Sequence, residues 1–192
     1  MKLTKIAVAS GNAAKIREIK QIFKGAEIVT MRELGFDGEI EENGSSFREN
    51  ALIKAKFVAQ KFNLPALADD SGLCVDYLGG APGIYSARFS GEGDKKNNEL
   101  LLEKLKDTDD RKAHFTSAVC LCFPDGKAYF GEGYTYGEIL KEITGSNGFG
   151  YDCVFYSYDL KKSFGLASAE EKNSVSHRYR ALTDLSEKIC RL

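Results

Sequence analysis

The sequence lacks a long hydrophobic run, a strong net charge and the commonest phosphate-binding motif. Its 192 residues carry 27 Lys and Arg against 28 Asp and Glu, so the formal net charge is −1. This balance gives no electrostatic reason to expect a nucleic acid or an anionic membrane surface as a partner. No apolar stretch approaches the roughly 18 residues of a membrane-spanning helix. No G-x-x-x-x-G-K-[ST] occurs, which excludes nucleotide binding by the commonest route.

The first residues do not predict a signal peptide. The segment "MKLTKIAVASGN" contains a short apolar run, but the run reaches Gly-Asn too soon for a secretion signal. We therefore expect a cytoplasmic protein. Any anionic ligand must be met by Lys and Arg gathered locally, because the molecule as a whole supplies no positive field.

Disulfides and zinc are not expected either. The five cysteines are odd in number and scattered through apolar segments, a pattern that predicts reduced thiols in the core. Cys120 and Cys122 alternate in a strand-like run and should face the same side of a sheet. A zinc site would need further ligands at suitable spacing, and only His114 lies nearby.

Hydrophobic periodicity predicts a single α/β domain with a mixed sheet flanked by helices. Strands are expected at residues 5–9, 27–31, 64–68, 113–123, 127–139 and 153–158, the fourth and fifth joined by the turn "PDG". Helices are expected at 13–23, 45–62, 97–106 and near the C-terminus. Asn12 is a candidate N-cap for the first helix, and Ser46 with Glu49 fits a capping box for the second.

The segment "VASGNAAK", residues 8–15, is a candidate anion site. A strand runs into Ser-Gly-Asn and then into a helix that has Lys15 in its first turn. Unpaired N–H groups at a helix start, a glycine and a nearby lysine together suit an anion. An ordinary strand-to-helix turn with an asparagine cap explains the same residues equally well.

Acidic residues form a second candidate site. In "LPALADDSGLCVD" the adjacent Asp69 and Asp70 follow an apolar run, and their mutual repulsion under partial burial calls for a compensating cation. If the segment stays extended, the two side chains point to opposite faces, one serving a site and the other a hydrogen bond in the turn. Glu41 or Glu42 could join one of them to hold Mg²⁺, although solvated loop acids remain the alternative.

Two segments near the C-terminus contain candidate residues for binding a base or an anion. In "NGFGYD", residues 147–152, aromatic rings between glycines could stack on a nucleobase, or could instead pack into the core. In "EEKNSVSHRYRAL", residues 170–182, His177 and Arg178 lie near Lys172. If the helix extends back through Val175, both residues lie outside its apolar stripe. If Ser176 caps the helix, both lie in its first turn, beside the positive helix end. Both placements leave them available to an anion, although a solvated helix face explains single charges.

Six segments in this order resemble the inosine triphosphatase family, pyrophosphatases that remove non-standard purine nucleoside triphosphates. They are "SGNAAKIREI", "SFRENALIKA", "LADDSGL", "GGAPGIYSARFSG", "GFGYD" and "EEKNSVSHRYRAL". The resemblance spans nearly the whole chain. It implies an elongated mixed α/β structure in one domain, residues 1–192, with two lobes around a deep cleft. It also implies a homodimer.

The resemblance implies roles for individual residues. The triphosphate-binding loop would be Ser10, Gly11, Asn12, Ala13, Ala14 and Lys15. Glu42 and Asp70 would hold Mg²⁺, with Asp70 also the proton acceptor. Lys54 would reach the phosphates and Ser71 would contact the substrate. The residues that stack on or read the purine would be Phe149, Gly150, Tyr151, Asp152, Lys172, His177 and Arg178.

The implied reaction is hydrolysis of ITP, dITP or XTP between the α- and β-phosphates. Three residues depart from the family pattern: Ser10 replaces a common Thr, Cys153 replaces a Pro, and Leu166 stands where an acid is frequent. These departures bear on base selectivity more than on the phosphate chemistry. The alternatives are a sensor that binds a purine triphosphate without cleaving it, and a related pyrophosphatase for pyrimidine or modified nucleotides.

Overall fold

The computed structural model describes residues 3–190, without the side chain of Ala14. Its strands are β1 (Lys5–Val8), β2 (Glu27–Thr30), β3 (Ala66–Val75), β4 (Lys112–Cys122), β5 (Ala128–Ile139), β6 (Phe155–Ser157) and β7 (Lys162–Ser163). Its α-helices are α1 (Ala13–Ile22), α2 (Phe47–Phe62), α3 (Asp94–Lys104), α4 (Ala169–Val175) and α5 (His177–Cys190).

The strands form one mixed sheet in the order β2-β1-β3-β4-β5-β6-β7. Strand β1 pairs in parallel with β2 and β3, whereas β6 pairs antiparallel with β5 and β7. Parallel pairs need crossover connections, which α1 and α2 supply between the first three strands. The predicted α/β fold with a mixed sheet is therefore confirmed. Among residues 3–190, no helix combines the length and the apolar character needed to cross a membrane.

The chain divides into two compact units. The first takes its described residues from Met1–Asp70, Ser117–Gly133 and Arg178–Leu192, and the second consists of Ser71–Thr116 and Tyr134–His177. The domain predicted over 1–192 includes residues 1–2 and 191–192, which lie outside the described part. Its description as a single two-lobed domain stays a prediction.

The first unit buries both faces of its strands. Ile6 and Val8 pack in one cluster with residues of α1 and α5, whereas Ala7 packs in another with residues of α2. Cys120 and Cys122 both belong to the α2 cluster, so the prediction that they share a face is confirmed. Burial on both faces explains why these strands are continuously apolar rather than alternating. The expectation that all five thiols are in the core is wrong for Cys190, which is exposed.

The second unit has an aromatic core. The ring of Phe155 lies 4.7 Å from Phe115 and 5.2 Å from Phe164, measured between centroids, and Leu73 and Val75 of β3 join the same cluster. Aromatic pairs at these separations stabilise the fold by more than the burial of their surface alone. This core explains why β3 runs on to Val75.

The prediction that β3 ends before its aspartates is therefore wrong. Asp69 and Asp70 lie inside the strand, because the buried Leu73 and Val75 keep the chain extended past the charges. No turn follows the carboxylates at this point. Both carboxylates must then find their hydrogen-bond and ion-pair partners within the fold.

Local signals at other helix ends and turns are largely confirmed. Asn12 Oδ1 accepts from the Lys15 backbone N–H at 3.3 Å, and Ser46 Oγ accepts from the Glu49 N–H at 3.2 Å. The predicted capping box is only half formed, because the Glu49 carboxylate instead accepts from the N–H and hydroxyl of Ser45. The "PDG" turn joins β4 to β5, with Gly126 at φ 89, where glycine avoids strain.

Candidate active site

Asp69 and Asp70 have different surroundings, as extended backbone requires. Asp69 is 3% exposed, with its carboxylate bonded to Lys15 Nζ, to Ser117 Oγ and, at 3.2 Å, to Arg178 Nε. Burial alone would raise the pKa of Asp69, but the two cations outweigh it and hold that pKa well below its usual range. Asp69 is therefore ionised at neutral pH.

Asp70 has weaker compensation. Asn50 Nδ2 donates to Asp70 Oδ2 at 3.1 Å, and Lys54 Nζ lies 3.4 Å from Asp70 Oδ1. Burial raises the pKa of Asp70, with Glu42 and Asp69 acting in the same direction against Lys54. Adjacent carboxylates thus have pKa values shifted in opposite directions, the arrangement that separates a proton acceptor from a structural anion.

Helix α2 supplies two polar groups from its buried face. Asn50 and Lys54 are one turn apart and lie among buried alanines. Lys54 Nζ donates to Glu42 Oε1 at 2.9 Å and to the Asp69 carbonyl at 3.0 Å. Asn50 Oδ1 accepts from the Gly44 N–H, which ties down the loop that carries Glu42. The sequence analysis missed Asn50, although two polar residues at i and i+4 on an apolar face are a usable signal.

The loop before α1 keeps the features of an anion site. The Asn12 N–H donates to Ser10 Oγ at 3.2 Å, and Gly11, Asn12 and Ala13 are exposed. A Cβ at Gly11 would meet nothing within 4 Å, so the loop is open beside that residue. The backbone of Ala14 lies in α1, and its side chain is outside the described part. An exposed loop at the start of a helix is a common place for an anion to bind.

Arg178 is not open to an anion in this structure. Helix α5 begins at His177, directly after Ser176, yet the Arg178 guanidinium is 3% exposed and pairs with Glu18 at 3.3 Å as well as with Asp69. The expectation that Arg178 is available to an anion is wrong, because its guanidinium is paired with the carboxylates of Glu18 and Asp69. Glu18, 160 positions away along the chain, was missed by the sequence analysis. The assignment of Arg178 to base recognition stays a prediction.

The second unit gathers Phe149, Asp152 and Lys172. Asp152 Oδ2 accepts from the Phe149 N–H at 2.8 Å and pairs with Lys172 Nζ, which lies 4.4 Å from the centroid of the Phe149 ring. A Cβ at Gly148 would lie 2.0 Å from Asp152 Oδ2, so this close approach requires glycine. Phe149 is 44% exposed. An exposed ring beside a paired cation and carboxylate suits a flat polar ligand.

The remaining predicted residues of the second unit are more enclosed. Tyr151 is buried in the aromatic core and donates its hydroxyl to the Ser86 carbonyl at 2.8 Å; burial raises its pKa. The ring of His177 stacks on Phe115 with 4.9 Å between centroids. Ser71 is half-buried, directly after Asp70. The alternative reading of "NGFGYD" as a core turn therefore holds for Tyr151 and not for Phe149.

The carboxylates of the first unit fit a hard divalent cation. Glu42 Oε1 and Asp70 Oδ1 converge on the single ammonium of Lys54, at 2.9 and 3.4 Å. Carboxylate oxygens suit Mg²⁺, which usually keeps several waters and takes phosphate oxygens as further ligands. No cluster of three or more His, Cys, Asp or Glu that could bind a metal occurs among the described residues. An ion here would depend on ligands from outside the protein.

The fold is that of a mixed α/β protein. Its buried ion pairs around Asp69, Asp70 and Asp152 are of the kind found in enzyme active sites. The chain belongs to the Ham1 family, whose profile matches residues 6–188. It is 44% identical to a Clostridium perfringens protein named dITP/XTP pyrophosphatase, over 97% of this chain and 98% of that protein. The resemblance drawn from the six motifs is thereby confirmed.

Solved structures agree. The Ham1 protein of Staphylococcus aureus superposes with a TM-score of 0.91 at 41% identity, covering 98% of this chain and 99% of that one. A Mycobacterium abscessus protein named nucleoside-triphosphatase / dITP/XTP pyrophosphatase has a TM-score of 0.80 at 41% identity, covering 94% and 97%. The fold observed here is therefore that of the family.

Proposed function

We propose that this protein hydrolyses ITP, dITP and XTP between the α- and β-phosphates, releasing a nucleoside monophosphate and pyrophosphate. Such an activity keeps deaminated purines out of DNA and RNA. The opposite environments of Asp69 and Asp70 carry the proposal, because they provide one fixed anion and one proton acceptor side by side. The names of the relatives in Clostridium and Mycobacterium support the same reaction.

Asp70 acts as the general base. It accepts a proton from the attacking water, a role commonly worth about 10²–10⁴ in rate. Before metal binds, burial raises the pKa of Asp70, and Asn50 and Lys54 hold the orientation of its carboxylate. Ser71, the next residue in the strand, contacts the substrate.

Glu42 and Asp70 would hold Mg²⁺, which would offset negative charge on the pyrophosphate leaving group. Lys15 and Lys54 neutralise the remaining phosphate charge. The N–H groups of the Ser10–Lys15 loop bind phosphate oxygens at the start of α1. In the structure Lys15 pairs with Asp69 and Lys54 pairs with Glu42, so each ammonium would share its charge between a carboxylate and the phosphates when substrate binds.

Base recognition is assigned to a separate set of residues. Phe149 stacks on the purine, and the other residues assigned to the base are Gly150, Tyr151, Asp152, Lys172, His177 and Arg178. ITP and XTP carry a 6-oxo group where ATP carries a 6-amino group. Donors directed at the oxygen would leave unmet partners against an amino group, and buried unmet partners give large discrimination.

Product chromatography tests this proposal. The protein is incubated with Mg²⁺ and, separately, with ITP, XTP, dGTP, ATP and TTP. We expect IMP and pyrophosphate from ITP, with ATP almost untouched. Formation of IDP and single phosphate would contradict cleavage at the α–β bond. Tight ITP binding without turnover would favour the sensor alternative, and cleavage of TTP in preference to ITP would favour the pyrimidine alternative.

We also propose that the protein is a cytoplasmic homodimer that binds neither nucleic acid nor membrane. The family resemblance supports the dimer, and the net charge of −1 supports the absence of an anionic polymer as partner. Light scattering coupled to size-exclusion chromatography should give twice the 21.2 kDa chain mass. A monomer at micromolar concentration would contradict the dimer.

A further inference from the structure

Helix α3 holds both backbone polar groups of Gly150. The Gly150 N–H donates to Asp94 Oδ2 at 2.8 Å, and Asn98 Nδ2 donates to the Gly150 carbonyl at 2.8 Å. Asp94 and Asn98 are one helical turn apart, so they project from the same face of α3. Two side chains of one helix thereby bind a single residue 52 positions beyond Asn98.

The orientation of the Asn98 amide is dictated by its surroundings. Its second N–H bond goes to the Asp94 carbonyl at 2.9 Å, so Nδ2 serves two carbonyl oxygens. A flipped amide would direct Oδ1 at the same two oxygens, which is repulsive. Asn98 is 3% exposed, and its Oδ1 is buried without a hydrogen-bond partner in the structure. An unsatisfied buried acceptor is costly, and the two hydrogen bonds that Nδ2 donates offset that cost.

Gly150 joins the exposed Phe149 to the buried Tyr151. Gly148 and Gly150 have φ values of 80 and 62, a backbone region that other residues rarely adopt. Local preference therefore does not select this conformation over the many others open to glycine. Hydrogen bonds within the loop and to it from other elements must do so. Asp152 holds the Phe149 N–H and Tyr151 bonds to Ser86, and the α3 pair holds the peptide groups between them.

We propose that Asp94 and Asn98 are positioning residues for recognition of the purine base. They fix the Gly150 backbone and thereby the exposed ring of Phe149, on which the base stacks. Their part in recognition rests on the proposed function, whereas their hold on the loop does not. The phosphates are assigned to other residues, the Ser10–Lys15 loop and Lys54, so loosening the loop around Gly150 weakens base binding and leaves the chemical step largely unchanged.

The test combines hydrogen exchange with steady-state kinetics on the full chain. Asp94→Ala removes the acceptor, Asp94→Asn restores an acceptor oxygen without the charge, and Asn98→Ala removes the donor. Glu99→Ala is the matched control, because it removes an acid of α3 that pairs with Lys96. Exchange is followed by mass spectrometry on a peptide covering residues 147–153, without nucleotide. Thermal unfolding identifies any variant that fails to fold.

We expect Asp94→Ala and Asn98→Ala to exchange faster in this peptide, and Asp94→Asn and Glu99→Ala to resemble wild type. For ITP, the loss of a hydrogen bond to a charged group predicts a rise in KM of roughly tenfold in Asp94→Ala, with kcat within about twofold. Asp94→Asn should recover most of that KM.

Unchanged exchange in Asp94→Ala would overturn the hold on the loop. Faster exchange with an unchanged KM would overturn the link between Asp94 and base recognition. A roughly tenfold fall in kcat with KM unchanged would overturn it as well. If wild type does not cleave ITP, the proposed function fails, and the exchange experiment still decides whether α3 holds the loop. If Asn98→Ala does not fold, the two Asp94 variants decide the outcome.

Discussion

At the scale of single residues, the central feature is that adjacent carboxylates have opposite surroundings. Two cations, Lys15 and Arg178, compensate Asp69, whereas Asp70 shares the single ammonium of Lys54 with Glu42. Asp69 is thus a fixed structural anion. Asp70 retains the electrostatic cost of burial and with it the capacity to accept a proton.

Replacement of the proposed base should abolish turnover. We expect Asp70→Asn to reduce kcat for ITP by at least about 10²-fold, because asparagine cannot accept the proton of the attacking water. The measurement is initial-rate pyrophosphate release at saturating Mg²⁺. Near-normal release by a folded Asp70→Asn protein would contradict the assignment.

The two aspartates should also have opposite effects on stability. The raised pKa of folded Asp70 means that its stabilising contribution is present below the unfolded pKa and lost as pH rises through the folded pKa. The lowered pKa of Asp69 means that its contribution is present above the unfolded pKa and lost as pH falls through the folded pKa. At pH 8, Asp70→Asn should therefore unfold at the same or a higher temperature than wild type, and Asp69→Asn at a lower one.

Thermal unfolding in the presence of a chelator measures both variants free of bound metal. Breaking a buried ion pair by removing one partner commonly costs about 3–5 kcal/mol, so the fall in Asp69→Asn should be large. Lowering the pH should shrink the difference from wild type for both variants. An equal destabilisation of the two at pH 8 would contradict the separation of roles.

At the scale of elements, α2 and α3 each position two polar side chains that the proposals use. Asn50 and Lys54 lie on the buried face of α2, Asp94 lies in the first turn of α3, and Asn98 is buried one turn later. Helix α2 presents Asn50 and Lys54 to the carboxylates, and α3 presents Asp94 and Asn98 to the loop around Gly150. The position of these groups depends on where each helix starts. A cap therefore influences both stability and the site.

The cap of α2 is open to a direct test. Ser46→Ala removes the hydroxyl that accepts from the Glu49 N–H, and should lower the free energy of unfolding by about 1 kcal/mol. Ser46→Asp is the matched control, since its carboxylate can accept from the same N–H group and should keep near wild-type stability. Urea unfolding gives both values. Equal losses in the two variants would show that the cap hydrogen bond is not the cause.

At the scale of the whole molecule, a net charge of −1 conceals buried groups of opposite charge. Glu42, Asp70 and Lys54 leave one uncompensated negative charge, whereas Asp69, Glu18, Lys15 and Arg178 balance. This excess is local, on the buried Asp70 and the half-buried Glu42, so it attracts a cation without giving the protein a long-range field. Two carboxylates make a modest site by themselves.

Metal removal should therefore abolish activity and leave the fold intact. We expect a chelator to stop ITP turnover and Mg²⁺ to restore it, with a melting temperature that changes little, because the ion gains most of its ligands from substrate and water. Thermal unfolding with and without chelator, measured alongside turnover, provides the check. A large fall in melting temperature would indicate a structural metal instead.

Local signals in the sequence predicted much of the fold correctly. The Asn12 cap, the "PDG" hairpin turn and the shared face of Cys120 and Cys122 depend on neighbours within a few residues or on strand period. The end of β3 was wrong because buried side chains beyond the charges extend the strand. The capping box was half wrong because Ser45, a local competitor, takes the Glu49 carboxylate.

The sequence by itself determined the α/β class and the family, and it predicted the motif residues that we propose for the chemistry. Only the tertiary structure decided which cation compensates which carboxylate, and that Asp70 rather than Asp69 has the raised pKa. Arg178 meets Asp69 across 109 positions, and Asn98 meets Gly150 across 52. Pairings over such separations are set by how elements pack, because hydrogen bonds and burial act through space and leave no period in the chain.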